Sequence, residues 1–227
     1  MKSFIGTRDD WGKPSTSTGS IQQSEPTKTG IITKQKDSKS SVRNAIDDTL
    51  SYMNTLMSRK NMTNTIRLRR ATGGDVESIF NLVKGLASYE KAADQVSVTP
   101  SIYQRDGGDV ANPIFHTILV ESIEGECAHS SVVGMGFFYM GYSAANAKFL
   151  YLEDLFIKEA FRGAGCGKSI MYSLAEIALR LNCRGFVWQA LDWNAPALAF
   201  YKSIGAEICE NLVTIRLDDE VIDKLHS

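Results

Sequence analysis

Apolar side chains recur in this chain at intervals of three and four residues in several stretches, the pattern of a helix buried on one face. The pattern predicts helices over residues 41–58, 76–87 and 170–181. Thr72 followed by Asp75 matches a capping box, which fixes the start of the second helix. Asn194, with Pro196 in the following turn, predicts a further short helix.

Other stretches alternate or hold continuous apolar runs, which is typical of strands. One begins near Thr65, and the others cover residues 115–121, 132–140, 148–157, 185–190 and 213–217. A polar, glycine-containing connection over residues 94–113 separates the second predicted helix from the middle strands. The order of elements predicts an α+β or mixed α/β domain with a mostly antiparallel sheet, and not a doubly wound one.

The first part of the chain differs from the rest. Residues 1–40 are rich in Ser and Thr and poor in apolar side chains, so we expect a disordered polar tail. A transit peptide is the alternative, and Asp9 and Asp10 argue against it. The apolar pattern predicts an amphipathic helix and a linker over residues 41–62. We favour a helix that packs on its own domain over a helix that binds a partner protein. Residues 63–227 form the predicted folded domain.

Charge and composition narrow the classes of function. Residues 1–60 carry 10 Lys and Arg against 6 Asp and Glu, and residues 61–227 carry 15 against 20. A mildly acidic body fits a cationic substrate better than a nucleic acid. Cys127, Cys166, Cys183 and Cys209 form no CxxC pair, and with 3 His we expect free thiols and no metal site. No apolar run is long enough for a membrane span, so we expect a cytoplasmic protein.

The segment FRGAGCGK, residues 161–168, predicts a phosphate-binding loop between a strand and a helix. It fails the P-loop pattern because Arg162 stands where the first glycine belongs. It fails the dinucleotide pattern because Lys168 stands where the last glycine belongs. The pattern RxxGxG fits, since its glycines let successive N–H groups face a pyrophosphate. A plain tight turn is the alternative.

Further motifs extend the match. RxxGxG is followed by NAPALAFYKSIGAE at residues 194–207 and preceded by ASYEKAADQV at 87–96 and YLEDLFI at 151–157. Together they resemble the GNAT superfamily of N-acetyltransferases, in its spermidine/spermine and thialysine acetyltransferase branch. The resemblance covers roughly residues 65–225. It implies the GNAT fold, acetyl-CoA as cosubstrate, a small amine as acceptor and a homodimer.

The resemblance also implies roles for two side chains. Tyr201 is similar to the tyrosine that donates a proton to the CoA sulfur, which a phenol with a pKa of about 10 can do. Its alternative is a core aromatic beside Phe200. Glu153 is similar to the carboxylate that contacts the acceptor amine and acts as base through water. Because Glu153 and Asp154 are adjacent in a strand, we expect them on opposite faces of the sheet.

Contacts to both substrates follow from the same resemblance. Those to acetyl-CoA are implied for Leu155, Phe156, Ile157, Arg162, Gly163, Ala164, Gly165, Cys166, Gly167, Lys168 and Asn194. Those to the acceptor are implied for Tyr89, Glu90, Glu153, Val187, Trp188, Gln189 and Glu210. For Asn194 a helix N-cap is an alternative role, and Tyr89 and Glu90 are equally read as a helix end.

The chain departs from the polyamine enzymes at two places. SAANAK at 143–148 lacks the tryptophan of that segment, and EICENLV at 207–213 is shorter and less acidic than its counterpart. These departures weaken spermidine or spermine as the acceptor, so we expect a small diamine, polyamine or diamino acid, with thialysine, ornithine and other small primary amines all open. The rival functions are a protein or peptide N-acetyltransferase and a non-catalytic CoA-binding module.

Overall fold

The computed structural model describes residues 41–59, 66–124 and 129–226. These residues fall in two compact units, which divide between Gln189 and Ala190. The polar tail predicted over residues 1–40 lies outside the described residues. Among the helices of the described ranges, none combines the length and the apolar character that a membrane crossing requires.

The described part of the first unit contains four α-helices and five strands. The helices are α1 (Val42–Arg59), α2 (Val76–Tyr89), α3 (Pro100–Gly107) and α4 (Cys166–Arg180). The strands are β1 (Ile66–Arg70), β2 (His116–Glu124), β3 (His129–Ser143), β4 (Ala147–Ile157) and β5 (Gly185–Trp188). The three long middle strands are those that the apolar runs predict.

The five strands form one sheet in the order β1-β2-β3-β4-β5. β1 to β4 pair antiparallel, and β5 pairs parallel to β4. The mostly antiparallel sheet and the α+β class predicted from the sequence are therefore confirmed.

Helices cover both faces of the sheet. Ile79 and Leu82 of α2 pack with Met135 of β3 in one apolar cluster. The next residue, Gly136, faces the other way, where an added Cβ would lie 2.5 Å from Ile170 of α4. α2 and α4 therefore lie on opposite faces, because successive strand residues alternate.

Helix α1 packs on its own domain, as the favoured interpretation of its amphipathic pattern predicts. Ile46 and Leu50 are almost fully buried. The Asn54 side chain donates to the carbonyl of Leu68 at 2.8 Å and accepts from its N–H at 3.0 Å. Leu68 lies on the edge strand β1, so this amide satisfies backbone groups that an open sheet edge would expose.

Two predicted segments differ in the structure. The connection over residues 94–113 contains helix α3, which Thr99 precedes and Pro100 opens, and which buries Tyr103 against the sheet. The segment 213–217, predicted as a strand, forms no regular secondary structure. Val213 and Ile215 are 79% and 88% exposed, so the alternating pattern is present without a partner strand in the described chain.

The second unit contains α5 (Ala195–Ser203) and α6 (Asp219–His226). The side chain of Asn194 accepts from the N–H of Ala197, so it is the N-cap that its sequence context predicts. Gly205, with φ 89°, ends the helix, and the N–H of Ala206 donates to the carbonyl of Tyr201 at 3.0 Å.

Candidate active site

A β-bulge in β4 places two carboxylates on one face of the sheet. Phe137 of β3 pairs with Asp154, while the next residue, Phe138, pairs with Leu152, so Glu153 is the extra residue. Tyr151 pairs and stacks with Tyr139 and therefore shares the face of Phe137. Glu153, two residues from Tyr151, lies on this face, and so does Asp154 as the partner of Phe137.

The expectation that Glu153 and Asp154 point to opposite faces is therefore wrong. Strict alternation holds only in a regular strand, and the bulge shifts it by one residue. We call the surface formed by Glu153, Asp154, Tyr139 and Tyr151 the carboxylate face. It is the side of the sheet that α2 and α3 cover, because Phe156, two residues after Asp154, packs in the cluster with Ile79 and Leu82.

Tyrosines and a third carboxylate surround the pair. The rings of Tyr139 and Tyr151 stack with centroids 5.0 Å apart. Asp154 raises the pKa of Tyr103 of α3, and Glu90, at the end of α2, raises the pKa of Asp154. Within the described ranges, no Lys or Arg pairs with Glu90, Glu153 or Asp154. The carboxylate face is thus anionic and aromatic, which suits a cationic ligand.

The proton affinities of these groups are shifted upward. Burial raises the pKa of Asp154 to about 7, and the negative charges of Glu153 and Glu90 contribute to the shift. Loss of water around Glu153 and Glu90 raises the pKa of each. Burial and the charge of Asp154 raise the pKa of Tyr103 to about 12. One group that exchanges a proton near neutral pH is typical of an acid–base site.

The glycine loop follows β4 directly. Gly163 and Gly165 have φ values of 77° and 84°, a backbone conformation that glycine adopts without strain. In the described chain, the N–H groups of residues 163–168 make no hydrogen bond to a backbone carbonyl, and Ser169 is the first to donate, to Gly165. These N–H groups and the start of α4 make the loop fit a pyrophosphate.

The side chain of Arg162 points back to the sheet and α2 instead of into the loop. Its Nε donates to the carbonyl of Ile157 at 3.0 Å. Its guanidinium lies 4.9 Å from the ring centroid of Tyr89 and 5.9 Å from that of Phe156. Arg162 therefore connects the glycine loop to the end of β4 and to the end of α2, where Glu90 follows.

The remaining predicted residues of the first unit lie on neighbouring strands. Leu155, Phe156 and Ile157 end β4 directly before the loop. Val187 pairs with Tyr151 and Trp188 with Leu152, so Val187 shares the carboxylate face and Trp188 lies on the opposite one. Gln189 directly follows β5.

Three predicted residues belong to the second unit. Tyr201 is in α5, where its ring contacts that of Phe200 at 5.4 Å between centroids. Asn194 caps the same helix, and Glu210 is exposed in the segment that follows it.

Sequence reasoning misses Asp154 and the tyrosines of the carboxylate face. Strict alternation places Asp154 away from Glu153, and Tyr103 lies in a helix that periodicity does not predict. One signal is present in the sequence. Tyr139 and Tyr151, together with the two carboxylates, put four polar-tipped side chains into the apolar middle parts of β3 and β4, where such groups are uncommon.

Comparison with known proteins shows the family of the chain. The sequence profile of the Acetyltransferase (GNAT) family matches residues 88–206. This range includes the end of α2, the bulged strand β4, the glycine loop and helix α5.

Curated relatives and a solved structure extend the comparison. The chain is 38% identical over 145 residues to a thialysine N-epsilon-acetyltransferase of Sus scrofa. The aligned region covers 63% of this chain and 84% of the relative. It is 31% identical over 150 residues to the spermidine/spermine N(1)-acetyltransferase-like protein 1 of Homo sapiens. That alignment covers 65% of this chain and 21% of the relative. An integron cassette protein of V. cholerae shares the fold, with a TM-score of 0.57, 23% identity and coverage of 71% and 97%.

Proposed function

The chain belongs to the GNAT family of acetyltransferases and is an acyltransferase, and on that premise we propose that it acetylates a primary amine of a small diamine, polyamine or diamino acid. The observation that carries the choice of acceptor is the carboxylate face. Glu153 and Asp154 lie there among tyrosine rings, with Glu90 at the end of α2 close enough to raise the pKa of Asp154, and none of the three has a cationic partner in the described chain. A cation with more than one amino group matches this charge.

Among these acceptors, a diamino acid of the thialysine kind has the most support. Identity to the thialysine enzyme is 38%, against 31% for the spermidine/spermine acetyltransferase-like protein. The segment 143–148 also lacks the tryptophan of the polyamine enzymes.

The test is release of free CoA thiol from acetyl-CoA with a panel of amines, namely thialysine, lysine, ornithine, spermidine, spermine and a lysine-containing peptide. We expect the highest kcat/KM with a small diamino acid. Turnover with the peptide alone would identify a protein N-acetyltransferase. Acetyl-CoA binding without turnover of any amine would identify a non-catalytic module.

The proposed reaction is direct attack in a ternary complex. Ammonium has no free lone pair, so Glu153, together with Asp154, takes a proton from the acceptor amine. The amine nitrogen then forms a bond to the acetyl carbon and loses a second proton to solvent, and the carbon–sulfur bond breaks. Tyr201 gives its proton to the departing sulfur and regains one from solvent. Backbone groups of residues 155–157 orient the thioester.

A covalent acetyl-cysteine intermediate has little support. Cys166 lies at the start of α4 but is buried, and burial raises the pKa of its thiol. A protonated thiol is a weak nucleophile, which favours direct transfer. The cysteines in the described ranges, Cys166, Cys183 and Cys209, are free thiols, as expected in the cytoplasm, where we propose that the enzyme acts.

Gly163→Ala tests whether the loop holds acetyl-CoA. At φ 77° an alanine is strained by about 1–2 kcal/mol, while its Cβ would meet nothing within 4 Å. We therefore expect the KM for acetyl-CoA to rise about 5- to 10-fold with a smaller change in kcat. Initial rates measured against acetyl-CoA concentration provide the check. Gly74→Ala is the control, since its Cβ would make an ordinary contact of 3.7 Å with Thr72. An unchanged KM in Gly163→Ala would contradict the pyrophosphate role.

We further propose a homodimer whose interface includes the segment 207–217, which has no strand or helix in the described chain. Val213, Ile215 and Leu217 alternate along it and are exposed, as strand residues are when they await a partner. A second copy is the proposed partner, because the resemblance implies a dimer. Light scattering should give twice the 25.0 kDa chain mass.

Ile215→Lys is expected to shift the protein toward monomers, because a charge in a buried interface lacks a partner. Leu179→Lys, at an exposed position of α4, is the control and should not change the mass. A wild-type protein that is monomeric at micromolar concentration would rule out the dimer.

A further inference from the structure

A pocket lies in the first unit where α1, the end of β1, the end of α3 and the start of β2 meet. It is partly enclosed and partly open to solvent. Its polar lining includes Arg43, Arg70, Thr72, Tyr103, His116 and Thr117, and it includes no Asp or Glu. We call it the α1 pocket.

The two arginines of the α1 pocket have hydrogen-bond donors to spare. In the described chain, Arg43 makes one side-chain hydrogen bond, to the carbonyl of Val110. Arg70 donates to Asp47 at 2.9 Å and to the carbonyl of Ala71 at 3.4 Å. A guanidinium carries five N–H donors, so most of these donors are not used by the described protein.

Two further donors lie deeper. Thr117 is 3% exposed, and its Oγ makes no hydrogen bond within the described ranges, which is costly for a buried hydroxyl. Burial and the charges of Arg43 and Arg70 lower the pKa of His116 to about 4. His116 is therefore neutral at pH 7 and carries one N–H donor.

The carboxylates next to the pocket have hydrogen-bond partners other than Arg43. Asp47 is paired to Arg70, and Asp109 accepts from the N–H of Gly73 at 2.9 Å. Nothing acidic in the described chain pairs with Arg43. A partly enclosed site rich in donors, with one unpaired cation and one unsatisfied buried hydroxyl, has the properties of an anion site.

We propose that the α1 pocket binds a small oxyanion, a phosphate, sulfate or carboxylate group, at a site distinct from the carboxylate face and the glycine loop. Arg43 and Arg70 bind the oxygens, and Thr117 donates from the inner wall. His116 lies against Phe138 on the opposite face of β2, so it acts through its charge and not through a direct contact. Tyr103 lines this pocket and is close enough to Asp154 for that charge to raise its pKa, so one side chain separates the two sites. Helix α1, which supplies Arg43, lies outside the residues that the family profile matches.

Binding should strengthen as the pH falls. A bound anion opposes the effect of the two arginines on His116 and raises the pKa of that imidazole. The complex therefore takes up a proton, and its affinity increases at lower pH. Sulfate is a suitable probe because its own charge is constant over this range.

The experiment is calorimetric titration of the full chain with sodium sulfate, and separately with sodium acetate, at constant ionic strength and at pH 7.5 and 5.5. We expect binding in the millimolar range or tighter, stronger at pH 5.5. The tighter-binding probe identifies whether the natural ligand carries a sulfate- or phosphate-like group or a carboxylate.

Three variants locate the site. Arg43→Met should weaken binding at least 10-fold. Thr117→Val should weaken sulfate binding several-fold. The melting temperature should stay unchanged or rise, because the substitution removes an unsatisfied hydroxyl and keeps the shape of the side chain. This variant therefore tests the site even if Arg43→Met is unstable. Lys168→Met reports any separate sulfate binding in the glycine loop and should not weaken binding at the α1 pocket. Binding lost in Lys168→Met and kept in both pocket variants, or absent from the wild type, would overturn the proposal.

Discussion

Tyr201→Phe is expected to reduce kcat by roughly 10²- to 10⁴-fold, the usual contribution of a positioned acid or base. The substitution removes one oxygen and keeps the ring, so the contact with Phe200 and the fold of α5 are preserved. The KM for acetyl-CoA should change by less than about threefold, since proton donation to sulfur matters in the transition state and not in binding. Steady-state thiol release at saturating amine measures both quantities.

Tyr142→Phe is the matched control, because Tyr142 is 77% exposed on β3 and has no proposed role. It should retain the wild-type kcat.

Substrates with a better thiol leaving group provide a second test. They need less help from an acid, so the defect of Tyr201→Phe should shrink with them. A wild-type kcat in Tyr201→Phe would remove the acid role and leave the family assignment untouched.

Apolar periodicity is sufficient to predict most of the fold. The middle strands carry continuous apolar runs because helices cover both of their faces, and the helices carry one apolar stripe each. Helix α3 escapes prediction because it is short and polar and fully buries little besides Tyr103. Its start signal, Pro100 after Thr99, is present, but a single signal without periodicity does not distinguish a helix from a turn.

The segment 213–217 shows the opposite error. Val213, Ile215 and Leu217 alternate as strand residues do, yet the described chain has no strand there. Alternation records which face a strand would bury, while the strand itself exists only when a neighbour supplies hydrogen bonds. The alternating pattern therefore indicates that this segment pairs with a strand of another chain. This is the reason for the dimer proposal.

The bulge at Glu153 could not be predicted from β4 alone. It arises from the pairing of β4 with β3, where Phe137 and Phe138 face Asp154 and Leu152. Register between strands depends on both sequences and on the helices that cover them. Motif resemblance identifies Glu153 and the loop, but only the pairing places Asp154 beside Glu153.

Asp154→Asn is expected to change both the rate and its pH dependence. In the wild type, kcat/KM should fall as the pH drops below about 7, because the carboxylate pair must be ionised to accept the amine proton. The macroscopic pKa belongs to the pair. Without the charge of Asp154, Glu153 ionises at lower pH and is a weaker base. In the plot of kcat/KM against pH, the acidic limb should move to lower pH by about one unit or more. The plateau value of kcat/KM should fall roughly 10-fold or more.

Stability gives an independent measurement of the same group. The folded-state pKa of Asp154, about 7, lies above its ordinary value of 3.8, so ionisation opposes folding increasingly between these values and by a constant amount above pH 7. A tenfold difference in proton affinity between the folded and unfolded states corresponds to about 1.4 kcal/mol. Asp154→Asn should therefore raise the melting temperature at pH 8 more than at pH 5. Asp106→Asn, at an α3 residue paired with Arg105, should leave the acidic limb unchanged. If the limb and the melting temperature of Asp154→Asn match the wild type, Asp154 has no part in the proton transfer and Glu153 acts alone.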